Sequence, residues 1–168
     1  QAQNCDELHD ALTLCSCISE AEGKANNWEI LFYELTAAKR AATIIVNGVP
    51  LWIAAERLHH WQQVFPDVVP DPVIVTPERL LLKNEGKDAA AEIIRGRLEA
   101  LGPVVPEELA AAIGFTEAQA KHALLLLENE GFVFRGKFHP DELREAWCER
   151  RLMARIHRYT LQKLRSEI

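Results

Sequence analysis

Apolar residues return at helical spacing through most of the chain. Leu8, Ala11, Leu12 and Cys15 fall at offsets of three, four and seven, one face of a helix that Asp6 is placed to cap. The run SEAE predicts a short helix stopped by Gly23. Asn27 then caps a longer one, in which Trp28, Leu31, Phe32, Leu35 and Ala38 form a stripe. After Arg40 the period shortens to that of strands, and AATIIVNGVPLWI reads as a hairpin around Asn47-Gly48, a pair suited to the positive φ angles of a type I′ turn. A further helix, with Ala54, Leu58, Trp61 and Phe65 on one side, closes a first lobe over 1–65. Pro66, Pro70, Pro72 and Pro77 continue neither a helix nor a central strand, so 66–87 reads as an extended connector.

The second lobe, 88–140, repeats the order. Ala90, Ile94, Leu98 and Leu101 give a first helix, ended by Gly102-Pro103. Pro106, Glu107 and Glu108 open a second that Gly114 ends, and Thr116 with Gln119 makes a capping box for a third, which finishes at Gly131. FVFRGKFH then predicts a hairpin with Arg135, Gly136 and Lys137 at its tip. Helix, short helix, longer helix and hairpin thus occur at 5–53 and again at 88–139. The expected fold is mainly α with small β-hairpins, an α+β protein of tandem winged-helix-like lobes followed by a C-terminal amphipathic helix within 141–168.

Charge narrows the functional classes. A formal net charge of −6 argues against coating DNA by bulk positive charge, because non-specific affinity comes from neutralised phosphates. The basic residues gather instead at one end. A helix expected from Trp147 onward carries Arg151, Arg155, Arg158, Gln162 and Arg165 on one stripe, with Leu152, Met153, Ile156, Thr160 and Leu164 broadly opposite. Guanidinium groups spaced about a turn apart suit a phosphate backbone; the same stripe also fits an acidic partner domain or plain solvent. Arg135 and Lys137 at the hairpin tip are further candidates for nucleic-acid contact, and Trp147, beside the stripe, is a candidate for stacking on a base. Glu117, Glu128 and Glu130 make the third helix of the second lobe too acidic for major-groove reading.

Phosphate-binding GxxxxGK[ST], nucleophile-elbow, HExxH and GxGxxG motifs are all missing, so neither catalysis nor a cofactor is expected of this chain alone. Cys15-x-Cys17, with Cys5 and His9 nearby, lacks the paired spacing of a zinc site; Cys5 and Cys15 read as small buried side chains, reduced in a cytoplasmic protein. No apolar run reaches membrane-spanning length, and the start at Gln1 reads as the edge of an excised piece.

The stretches IIRGRLEALGPVVPEELAAAIGF, LLLLENEGFVFRGKF and AWCERRLMARIHRYTLQKLRSEI, with LWIAAERL and DELHDAL before them, resemble the accessory, DEAD/H-associated region of the Lhr (large helicase-related) family. These are superfamily 2 ATP-dependent helicases. The resemblance implies a motor of two RecA-like lobes, using ATP and Mg²⁺, elsewhere in the same polypeptide, with this segment guiding a single strand, duplex or RNA–DNA hybrid during 3′ to 5′ unwinding. It also implies further sequence beyond the equivalent of Ile168. The helix-and-wing order is similar to AlkZ-type DNA glycosylases as well, which keeps base excision open as a second activity class and intramolecular docking as a third.

Overall fold

The computed structural model describes residues 2–83, 86–141 and 143–166, and is mainly helical with small antiparallel sheets, the expected α+β class. Helix α1 (Cys5–Cys15) is capped by Asn4, whose side chain accepts from the Glu7 amide at 2.9 Å. Asp6 lies in its first turn instead, at the positive end of the helix dipole. Strand β1 (Ile18–Ser19) leads into α2 (Glu20–Ala25), which opens with a capping box of Ser19 and Glu22. This helix runs through Gly23 rather than stopping there. A Cβ at that position would lie 2.1 Å from the Trp52 ring, so packing and not a turn requires the glycine. Helix α3 (Glu29–Ala37) precedes the hairpin of β2 (Ala41–Val46) and β3 (Val49–Ala54). Asn47 and Gly48 take φ of 46° and 82° at its turn, as the dipeptide predicts. β1 pairs with the free edge of β3, so the strand order is β1-β3-β2.

A 3-10 turn (Ala55–Arg57) and helix α4 (Leu58–Val64) come next. The proline-rich chain then lies along the outer edge of β2, where Thr43 and Asp71 exchange backbone hydrogen bonds of 2.8 and 2.9 Å. Val68, Ile74 and Thr76 are buried along the way, and a short helix α5 (Glu78–Lys83) follows.

The second run of elements opens with α6 (Ala89–Glu99), capped by Asp88. α7 (Pro106–Ile113) ends at Gly114 in the left-handed region, and α8 (Glu117–Asn129) starts from the Thr116–Gln119 capping box. Strands β4 (Val133–Gly136) and β5 (Ala146–Glu149) and helix α9 (Arg150–Ser166) complete it. Val104 and Trp147 exchange backbone hydrogen bonds of 2.9 and 2.7 Å. The order Val104-β5-β4 therefore reproduces β1-β3-β2.

Two boundaries differ from the pattern. The hairpin does not turn at Arg135-Gly136-Lys137: β4 ends at Gly136 and its partner begins only at Ala146. The last helix does not begin at Trp147, because Ala146–Glu149 is a strand and α9 starts at Arg150. All four β5 residues are buried and paired with β4, and Trp147 bonds to Val104 on the other side. So short a strand, buried on both faces, has no alternation to announce it.

Packing joins the two runs of elements through the β2–β3 hairpin. Ala41, Trp52 and Ala54 face a cluster with Leu8, Leu12, Phe32 and Leu35, in which Phe32 and Trp52 stack with centroids 4.1 Å apart. The opposite face, with Ala42, Ile44, Val46, Leu51 and Ile53, packs into a larger cluster with Trp61, Ile93, Ile94, Ile113 and Leu124. The turn itself docks, since Asn47 donates to the Gly114 carbonyl at 2.7 Å. Buried Arg97 adds a polar tie, donating to the Cys17 carbonyl and the Glu22 carboxylate.

Candidate nucleic-acid interface

The described part of α9 is the most cationic stretch of the structure. It carries Arg150, Arg151, Arg155, Arg158, Lys163 and Arg165 and no carboxylate. None of its residues is buried; Leu152 and Met153 are half-buried at its root, and everything from Ala154 onward is exposed, so the helix projects from the body. Its direction is fixed at the base. Glu149, only 5% exposed, accepts from the Arg151 and Leu152 amides at 3.0 and 3.1 Å, and the Arg150 amide donates to the Phe132 carbonyl at 2.9 Å. A carboxylate there satisfies two orphan amides and faces the positive end of the helix dipole. No sequence pattern announces this role of Glu149, because it depends on the strand that ends there.

Among the described residues, Arg151, Arg155, Arg158 and Arg165 form no ion pair within the chain. Arg151, Arg155 and Arg158 line one wall of an open groove of about 760 Å³, whose other wall is the turn of Glu99, Ala100, Leu101 and Gly102. Three guanidinium groups over two turns of helix, facing a gap, can bind successive phosphates by charge-assisted hydrogen bonds. Glu99 is the one opposing charge on that groove which the helix cap does not employ.

The remaining candidates lie elsewhere. Arg135 sits within β4, forms a bidentate pair with Glu128 at 2.9 and 3.0 Å, and covers the Trp147 ring at 5.0 Å from its centroid. Trp147 is 5% exposed in the core. As placed, its ring has no face for a base. Lys137 is exposed just after β4, away from any hairpin tip of the kind the sequence suggested.

Groove reading by a helix finds little support. The exposed side of α3 carries Glu29, Ile30, Tyr33 and Glu34 and no Lys or Arg, while the Lys121 ammonium on α8 is taken by Glu117. The β2–β3 hairpin, sandwiched in the core, offers no free wing. Cys5 and Cys15 are half-buried rather than buried, and burial pushes the fully buried Cys17 thiol up to about 12, far from a reactive thiolate. Among the described residues no group of three His, Cys, Asp or Glu is placed to hold a metal, and no helix is long and apolar enough to cross a membrane.

Fold and site together define an α+β module with duplicated helix-and-ribbon order and one projecting basic helix. No family model matches the chain. It is similar to a Mycolicibacterium smegmatis protein named Lhr helicase/probable uracil glycosylase, at 26% identity over 171 residues. That alignment covers 99% of this chain but 11% of the relative, so the likeness is to one segment of a much longer protein.

Proposed function

We propose that this chain is a nucleic-acid-binding accessory segment of an Lhr-type helicase, guiding a DNA or hybrid strand rather than carrying out chemistry. The observation that carries the reading is α9, anchored at its root and presenting Arg151, Arg155 and Arg158 to an open groove without an intramolecular partner among the described residues. Two winged-helix lobes, 1–65 and 88–140, joined through 66–87, supply the scaffold. The order of helices with a ribbon whose middle strand is the last one supports that assignment. The reading includes a motor, with its ATP and Mg²⁺, in the same cytoplasmic polypeptide, and likeness to one segment of a protein named as a helicase supports it. The test is a fluorescence-anisotropy titration of the chain with labelled DNA. Changing Arg151, Arg155 and Arg158 together to Glu is expected to weaken binding at least about tenfold, since phosphate contacts dominate affinity; undiminished affinity would remove the reading.

A second reading has one specific support, the words "probable uracil glycosylase" in the relative's name. The cavity best suited to a base is the cup of about 310 Å³ between α3 and the sheet, lined by Phe32, Trp52, Thr43, Glu29 and Asp71. Asp71 is its candidate water-activating carboxylate. Uracil release from single-stranded DNA that disappears in Asp71→Asn would establish this activity, and the absence of release in the unaltered chain would exclude it for this segment.

A further inference from the structure

Aromatic rings able to stack on an unpaired base are scarce on this surface. Trp52, Trp61 and Trp147 are no more than 5% exposed, Trp28 is packed against the α1–α3 cluster, and Phe134, 39% exposed, stands on β4 rather than on the basic helix. Of the two tyrosines, Tyr33 is 72% exposed but stands on α3 between Glu29 and Glu34, where a phosphodiester is repelled. Tyr159 is 70% exposed and stands on α9, the helix without carboxylates among the described residues.

Helical geometry fixes its neighbours. Arg155 precedes Tyr159 by four residues and Lys163 follows it by four, so each cation lies one turn, ~6 Å along the axis, from the ring on the same side. At about 100° per residue, Arg155 falls between the ring and the groove lined by Arg151 and Arg158. A strand whose phosphates follow the arginines therefore passes with its bases beside the phenol. In a duplex those bases are stacked on one another and present only their edges, so the ring gains nothing; in a single strand a base face is free.

We propose that Tyr159 is a base-stacking residue that makes α9 favour an unpaired strand over a duplex. This rests on the reading of α9 as the phosphate-binding element, and adds to it the form of nucleic acid taken and the side chain that selects it. The probes are a labelled oligothymidylate and a blunt duplex of equal length, titrated into the whole chain at one salt concentration. Tyr159→Ala is expected to weaken single-strand binding about five- to a hundredfold while leaving duplex binding within about twofold, and Tyr159→Phe, which keeps the ring, is expected to bind both as the unaltered chain does. The side chain is exposed, and far-ultraviolet circular dichroism checks that α9 persists in each variant. Single-strand affinity unchanged in Tyr159→Ala, or an equal loss for strand and duplex, overturns the assignment to Tyr159. If the triple arginine variant still loses binding in that case, the phosphate-binding role of α9 stands alone; if it does not, both fall.

Discussion

Arg97 and Glu22 form a polar tie between α6 and α2. Burial alone raises the Glu22 carboxyl, but the hydrogen bonds and charge of the Arg97 guanidinium outweigh it and hold it below the usual carboxylate range. Arg97 itself is 4% exposed. Glu22→Gln leaves that guanidinium without a counter-charge, and an expected loss of about 2 kcal/mol, moderated by the partly exposed position of Glu22, is measurable by urea unfolding. Gly114 is a second point of this kind. Its φ is +74°, and a Cβ there would lie 2.2 Å from the Val46 carbonyl oxygen. Gly114→Ala is expected to cost about 1–3 kcal/mol, more than the same change at exposed Gly102, where nothing lies nearby.

His59 gives the stability a pH dependence. The His59 and His60 rings are both buried, with centroids 3.9 Å apart. Burial, and secondarily the charge of Arg57, hold His59 below the usual imidazole range. The unfolded chain therefore takes up this proton first. The contribution is complete at neutral pH and is lost as pH falls below about 6.5 toward the folded-state value, by at most ~1.4 kcal/mol per pH unit. Unfolding midpoints between about pH 7 and pH 5 should drop for the unaltered chain and flatten in His59→Phe. An equally steep drop in that variant would assign the proton elsewhere.

At the scale of elements, what the sequence announces is what local chemistry determines. The Asn47-Gly48 turn, the Thr116–Gln119 capping box, Pro106 at the first turn of α7 and Gly114 after it stand where the pattern puts them, because each satisfies its own backbone. The errors fall where a distant partner decides. Gly23 answers to the Trp52 ring, and β5 exists because β4 and Val104 flank it. The arginine stripe was legible from periodicity alone. The burial of Trp147 and the pairing of Arg135 with Glu128 were not, since both follow from the strand that replaced the expected start of the helix. Glu149→Ala removes the cap of α9 and is expected to cost about 1 kcal/mol locally, seen as reduced helicity and faster amide exchange over 150–158.

For the whole molecule, burial of the β2–β3 hairpin on both faces unites the two runs of elements in one continuous packing arrangement. That hairpin is thereby spent as internal structure. The exposed side of α3 is acidic and the Lys121 ammonium on α8 is paired, which leaves α9 as the surface the proposed function assigns to an anionic partner. An acidic body with one projecting cationic helix is organised for contact along a line rather than for wrapping, since carboxylates elsewhere repel the same backbone.

The most direct measurement is the salt dependence of single-strand affinity, compared between the unaltered chain and the variant with Arg151, Arg155 and Arg158 changed to Glu. Three phosphate contacts on that helix predict that log K falls with log salt more steeply in the unaltered chain, by about two units of slope. Equal slopes in the two proteins would contradict the account, because the counterions would then be released somewhere other than α9.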